Sequence, residues 1–137
     1  MHYALSTTVA AGFDETLAAT RAQLAEVGFG VLTEIDMAAT LKAKLDVDIP
    51  PQVVLGACRP PLAHAALQAE PSIGLLLPCN VVVRAADEGH TVVEAIDPSS
   101  MVRITGNDGL ADVAADARER LGRALESLTA DAATSAS

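Results

Sequence analysis

The feature that most restricts the fold is a pair of valine-rich runs, CNVVVRA at 79–85 and TVVEAI at 91–96, with the turn sequence DEGH at 87–90 between them. Runs rich in β-branched residues that flank a glycine-containing turn predict a β-hairpin, so the two runs should pair antiparallel. Pro78 directly precedes the first run. Because proline has no N–H to donate to a sheet ladder, we predict that strand pairing begins at about Cys79.

The rest of the chain alternates between strand-like and helix-like segments. The patterns predict strands at 2–9, 29–36 and 52–58, and helices at 13–27, at 37–45, from Pro60 or Pro61, and from Leu110 to Leu128. The resulting order is β-α-β-α-β-α-β-β-α. This order predicts an α+β fold, a two-layer α/β arrangement in which helices pack on a mixed β-sheet of about five strands.

Composition excludes two classes of partner. The net charge is -9 and only 2% of the residues are aromatic, so the chain would repel phosphate backbones and lacks rings on which bases stack. We therefore expect no nucleic-acid partner. No run approaches the ~20 consecutive apolar residues that a membrane-spanning helix requires, and so we expect no membrane insertion.

The length of 137 residues fits one domain, which we place at 1–128. The last segment, TADAATSAS at 129–137, has no core-forming residue and is predicted to be a disordered tail. The first residues lack the basic start and apolar run of a signal peptide, which predicts a cytoplasmic location. Two cysteines are too few for a disulfide scaffold, so Cys58 and Cys79 are expected to be free thiols.

Cys79 and Asn80 stand at the predicted start of the first hairpin strand. Side chains at strand ends of open sheets often contact ligands, which makes both residues candidate ligand-binding groups. The alternative is that Cys79 is a small buried apolar residue and that Asn80 satisfies local backbone groups. The pattern favours this alternative, because free cysteine is among the most buried residue types.

Cys58 ends the third predicted strand, just before a helix start and Arg59, both of which would stabilise a thiolate. A cysteine-dependent redox or thiol enzyme, with Cys58 or Cys79 as the reactive group, is therefore an alternative function. Cys58, Cys79 and Met101 could instead form a soft-metal site for copper(I), because that ion prefers thiolate and thioether ligands. The cysteines lack the CxxC spacing of redox pairs and zinc sites, so either role depends on tertiary proximity, and we assign no metal ligands.

The segment DPSSMVRITGNDG at 97–109 is rich in turn residues and is predicted to be a loop with a short extended piece at 101–104. Because this loop follows a strand end, its Asp97 and Met101 are further candidate ligand-binding residues. The carboxylates expected near strand ends are those of Glu34, Asp36, Glu70 and Asp97. Paired carboxylates can do acid/base work or hold a hard cation, but a solvated sheet edge and a helix cap explain them more simply.

Four segments carry a family resemblance: GFGVLTEIDMAATLKAKL at 28–45, VVLGACRPPLAHAAL at 53–67, EPSIGLLLPCNVVV at 70–83 and IDPSSM at 96–101. In this order and spacing they resemble the bacterial and archaeal family catalogued as domain of unknown function 302, over residues 3–128. The resemblance implies a compact α/β domain that associates as a homodimer, and it implies no activity. Arg59 stands where the family's commoner form, CNP, has asparagine.

The sequence thus predicts a small cytoplasmic dimeric protein that binds a small ligand or serves as an accessory protein. The expected site lies near the ends of the third and fourth strands and contains Cys58, Cys79, Asn80, Asp97 and Met101. A thiol enzyme and a copper-type binding protein are the alternatives. The sequence assigns no cofactor and no catalytic residue.

Overall fold

The computed structural model describes the backbone of residues 3–136 and the side chains of residues 3–130. Its strands are β1 (Ala4–Val9), β2 (Gly30–Asp36), β3 (Gln52–Cys58), β4 (Cys79–Asp87) and β5 (His90–Ile96). Its α-helices are α1 (Phe13–Glu26), α2 (Met37–Leu45), α3 (Pro60–Ala69), α4 (Ser99–Thr105) and α5 (Ala111–Ala136). Two short 3₁₀ helices, Pro71–Leu76 and Asp108–Leu110, complete the order.

The five strands form one sheet in the order β1-β5-β4-β3-β2, and every neighbouring pair is antiparallel. The α+β class and the predicted hairpin are confirmed, whereas the prediction of a mixed sheet is wrong. β1 and β2 do run in the same direction, as a β-α-β crossover suggests. They lie at opposite edges of the sheet with three strands between them, so no parallel ladder forms.

One face of the sheet forms the main core. Alternate residues of β3, β4 and β5 point into it, and they pack with apolar residues of α1 and α5; its fully buried large side chains include Leu24, Leu55, Val81, Val83, Val93 and Leu121. Burial of this aliphatic surface is the main stabilising contribution to the fold. The aromatic contribution is small, because Phe29 is the only buried aromatic side chain among residues 3–130.

The opposite face, here called the open face, carries the intervening residues of the same strands. One cross-strand row on it runs through Ile35, Val54, Val82, Glu94 and Ser6, as the register of the four ladders requires. Val54 and Val82 are half-buried, and Ile35 is 48% exposed. This row is therefore apolar across β2, β3 and β4 and polar toward β1.

A second, smaller core cluster lies beyond one end of the sheet. Its buried members are Ala66, Ile73, Met101, Leu110 and Ala114, contributed by α3, the first 3₁₀ helix, α4, the second 3₁₀ helix and α5. This cluster holds the first 3₁₀ helix and α4 beside the start of β4.

One segment differs from the sequence prediction. The 97–109 loop contains helix α4 instead of an extended piece at 101–104, because the Asp97 carboxylate accepts the Ser99 N–H and Met101 is buried in the second cluster. The backbone of 129–136 is assigned to helix α5, Ser137 lies outside the described residues, and disorder of 129–137 stays a prediction. Alanine, frequent in this segment, has the highest helix propensity. In the part of the chain that the structure describes, no helix has the length and apolar character needed to cross a membrane.

Candidate functional site

A groove of about 430 Å³ lies at one end of the open face, and we call it the outer groove. Residues of β1, β4 and β5 line it on the sheet side, including Ala4, Val82 and Ile96. The segment Leu75 to Pro78 and the α4 residues Met101 and Ile104 line its other sides. The volume falls within the range of about 300–1,000 Å³ that is usual for small-molecule sites.

The outer groove brings together three of the five predicted site residues. Cys79, Asn80 and Met101 all line it. Cys79 and Met101 are 7% and 5% exposed, whereas Asn80 is exposed. At the start of β4, the Cys79 side chain thus packs in the interior and the Asn80 side chain lies at the groove surface. Successive residues of a strand point to opposite sides.

A smaller cavity, the inner cleft, lies next to the groove and has a volume of about 20 Å³. Cys58, Cys79 and Met101 line it together, and Cys79 and Met101 line both cavities. Burial, with the nearby Cys58 as a second cause, raises the pKa of the Cys79 thiol to about 11. At neutral pH Cys79 is therefore protonated, which argues against it as a nucleophile.

Asp97 lines neither cavity. Its Oδ1 accepts hydrogen bonds from the Ser99 amide at 2.9 Å and the Ser99 hydroxyl at 2.7 Å, and its Oδ2 accepts one from Arg118 Nε at 3.3 Å. Burial opposes the charged form of Asp97, but these hydrogen bonds outweigh it and lower the pKa of the carboxyl below its usual value of 3.8. Asp97 therefore starts α4 and joins it to α5.

We expect Asp97→Asn to lower the free energy of unfolding by about 1 kcal/mol at pH 7, because charged hydrogen bonds to Ser99 and Arg118 become neutral or are lost. A carboxyl whose pKa is lower in the folded state stabilises that state above its unfolded pKa, and the contribution disappears as pH falls through the lowered value. The difference between wild type and variant should therefore narrow below about pH 4. Urea unfolding of both proteins from pH 7 to pH 3 measures this difference in the free energy of unfolding. A difference that stays constant with pH would contradict the role of the Asp97 carboxylate in stabilising the fold.

The other predicted carboxylates are dispersed. Glu34 pairs with Arg21, Asp36 caps α2 through the Ala39 N–H, and Glu70 accepts a hydrogen bond from Asn107. Among the described residues, no group of three or more histidine, cysteine, aspartate or glutamate side chains could hold a metal ion. An ion pair, a helix cap and a side-chain hydrogen bond account for these carboxylates.

The sequence did not reveal three residues at the edge of the outer groove, Tyr3, Leu75 and Ile104, which are 59%, 87% and 67% exposed. The sequence does contain a signal for Leu75. Three consecutive leucines precede Pro78, and a short connection to a strand does not need all three for packing. No local signal marks Tyr3 or Ile104, because their exposure follows from the position of the elements that carry them.

The fold and cavities define a small α+β protein with helices on one face of an antiparallel sheet and an apolar groove on the other. The model of the family described as Domain of unknown function DUF302 matches residues 5–128, and the chain belongs to that family. The chain is similar to the crystal structure of an uncharacterized conserved protein DUF302 from Bacillus stearothermophilus, with a TM-score of 0.85 and 29% sequence identity. The alignment covers 93% of this chain and 99% of that one. No curated protein matches the sequence.

Proposed function

We propose that the protein binds a small, mainly apolar molecule in the outer groove. The observation that carries this proposal is the combination of a groove of about 430 Å³ with edge side chains, Leu75 above all, that are apolar and yet exposed. An exposed apolar concavity with a few polar groups is the usual form of a ligand site. The first 3₁₀ helix keeps Leu75 at the surface, since the adjacent Ile73 anchors that helix in the second core cluster.

The polar groups around the groove restrict the ligand's chemistry. Among residues 3–130, no lysine or arginine lines it, and the one carboxylate that does, Glu94, is paired with Arg84 at 3.1 Å. The chain carries a net charge of -9, which disfavours anionic ligands further. Asn80 can donate and accept hydrogen bonds at the groove surface. A neutral apolar molecule with one polar group near Asn80 fits these features.

The second part of the proposal is a homodimer that forms through the open face. Antiparallel sheets with one solvated face normally alternate apolar and polar residues, but Ile35, Val54 and Val82 form a continuous apolar row on that face. A second copy is the occupant that we propose for it. A standard interface covers about 800 Å² per partner. That is about a tenth of this chain's accessible surface of 7556 Å².

Leu75→Glu tests the groove. Because Leu75 is 87% exposed, the variant should fold like wild type, and a carboxylate at the groove edge should weaken binding of a neutral apolar molecule. Nile red, titrated and followed by fluorescence, serves as the probe. We expect wild-type protein to bind the dye and Leu75→Glu to bind it about tenfold more weakly, a difference of about 1.4 kcal/mol.

Leu67→Glu is the matched control, since Leu67 is an exposed leucine of α3 that does not line the groove. It should bind Nile red like wild type. Equal dye affinity in all three proteins, or no binding to wild type, would contradict the groove as a ligand site.

Ile35→Glu tests the dimer. Ile35 is half exposed in the single chain, so the substitution should leave the fold intact while placing a charge in the proposed interface. Sedimentation velocity should show a wild-type dimer and an Ile35→Glu monomer, with Leu67→Glu again as the control. A monomeric wild type would disprove the dimer. The Nile red titration would still test the groove, because it does not depend on dimer formation.

The cellular setting is part of the same proposal. We place the protein in the cytoplasm because both of its cysteines are free thiols, which a reducing compartment maintains. An accessory role, in which the groove ligand is delivered to or received from another protein, is compatible with the site.

A further inference from the structure

We propose that the inner cleft binds a single copper(I) ion through the sulfur atoms of Cys58, Cys79 and Met101. This site is distinct from ligand binding in the outer groove and does not depend on it. The three sulfur-containing side chains are far apart in the sequence, and all of them line one cavity of about 20 Å³. A space of that size holds about one water molecule or one ion.

The convergence of the three residues has a structural origin. In the antiparallel ladder of β3 and β4, Ala57 pairs with Cys79, which places Cys58 one residue beyond that pair. Met101 comes from α4, whose first residue Ser99 donates its N–H to the Asp97 carboxylate, and α4 is held by the second core cluster. Three separate elements thus contribute sulfur-containing side chains to the lining of one cavity.

The chemistry of the donor set selects a soft ion. Thiolates and thioethers are preferred ligands of copper(I), whereas zinc would normally require a fourth nitrogen or sulfur ligand. Binding of copper(I) by this set forms two copper–thiolate bonds and one copper–thioether bond, and it releases the two thiol protons to solvent. The bound unit then carries one negative charge. Arg59, which also lines the cleft, supplies the compensating positive charge.

The remaining lining suits a reduced metal. Apolar side chains surround the sulfur atoms, among them Phe29, Leu62 and Leu77. An apolar shell keeps water away from the ion and so favours copper(I) over the more strongly hydrated copper(II). Because Leu77, Cys79 and Met101 line the outer groove as well, the groove gives the ion a route to the cleft.

The test is an anaerobic titration of the reduced, full-length protein with copper(I) in competition with the chromophoric chelator bathocuproine disulfonate. We expect wild type to take one copper(I) per chain from the chelator. Met101→Leu keeps the volume of the side chain and removes the thioether, so its affinity should fall about tenfold. Cys58→Ser should weaken binding by at least about 100-fold, since a thiolate ligand is lost.

Met37→Leu is the matched control, because Met37 is half-buried in α2 and lines neither cavity. Its copper(I) affinity should equal that of wild type. X-ray absorption should show three sulfur neighbours around copper in wild type and two in Met101→Leu. The proposal is wrong if wild type does not compete for copper(I), if it takes one ion per two chains, or if Met101→Leu and Cys58→Ser bind as tightly as wild type.

Discussion

Ile73→Ala is expected to lower the free energy of unfolding by about 3 kcal/mol, because Ile73 is fully buried and its truncation leaves a cavity in the second core cluster. In a chain of this size the loss corresponds to a decrease of about 10 °C in Tm. The second cluster is small, with Ala66, Met101, Leu110 and Ala114 as its other buried members. Few neighbours are therefore available to fill the space.

The effect of Ile73→Ala should extend to the groove. Ile73 anchors the first 3₁₀ helix, and that helix carries Leu75 and Leu76 of the groove lining. We expect weaker Nile red binding at temperatures at which the variant is still folded. Leu75→Ala is the matched control for stability, because Leu75 lies in the same 3₁₀ helix and is 87% exposed. Its free energy of unfolding should change by less than about 0.5 kcal/mol. Equal losses in the two variants would show that the second cluster does not anchor this helix.

Gly56→Ala is expected to lower the free energy of unfolding by about 2 kcal/mol through overpacking of the open face. A Cβ at position 56 would overlap with Thr33 Oγ1 and would lie 2.9 Å from Pro78 Cγ. The Thr33 side chain is exposed and can rotate away, but the Pro78 ring is rigid and is fixed at the start of β4. Glycine is therefore required here for space.

A double-mutant cycle separates the two neighbours. If Thr33→Ala is combined with Gly56→Ala, only a small part of the lost stability should return, because the exposed Thr33 side chain can rotate away and the contact with Pro78 remains. Gly30→Ala is the control, since a Cβ at that position in the neighbouring strand would meet only the Cys58 carbonyl oxygen, at 3.8 Å. It should change stability by less than about 0.5 kcal/mol. Thermal and urea unfolding measure the four proteins of the cycle, which are wild type, the two single variants and the double variant, together with Gly30→Ala. A destabilised Gly30→Ala would indicate a general cost of replacing strand glycines instead of a steric clash at Gly56.

The site could be located from sequence better than its residues could be grouped. Cys79, Asn80 and Met101 were expected near one another, and they line the outer groove. Asp97 was expected among them, but it forms hydrogen bonds at the start of α4 instead. A carboxylate followed by Pro-Ser can cap the start of a helix as well as contact a ligand. The sequence does not show whether a helix N–H or a ligand lies closer to the carboxylate. Cys58 was expected at the same site, and it lines the inner cleft beside Cys79 and Met101.

By itself the sequence determined the features that depend on neighbours along the chain: the hairpin of β4 and β5, the cap of α2 by Asp36 and the apolar stripe of α5. Local hydrogen bonding and side-chain periodicity encode these features within a few residues. Only the tertiary structure decided that the sheet is antiparallel throughout, that Ile35, Val54 and Val82 share the open face, and that Cys58, Cys79 and Met101 line one cleft. Those features depend on strand order and on the docking of α4, which are set by the burial of the whole apolar surface and not by any single segment.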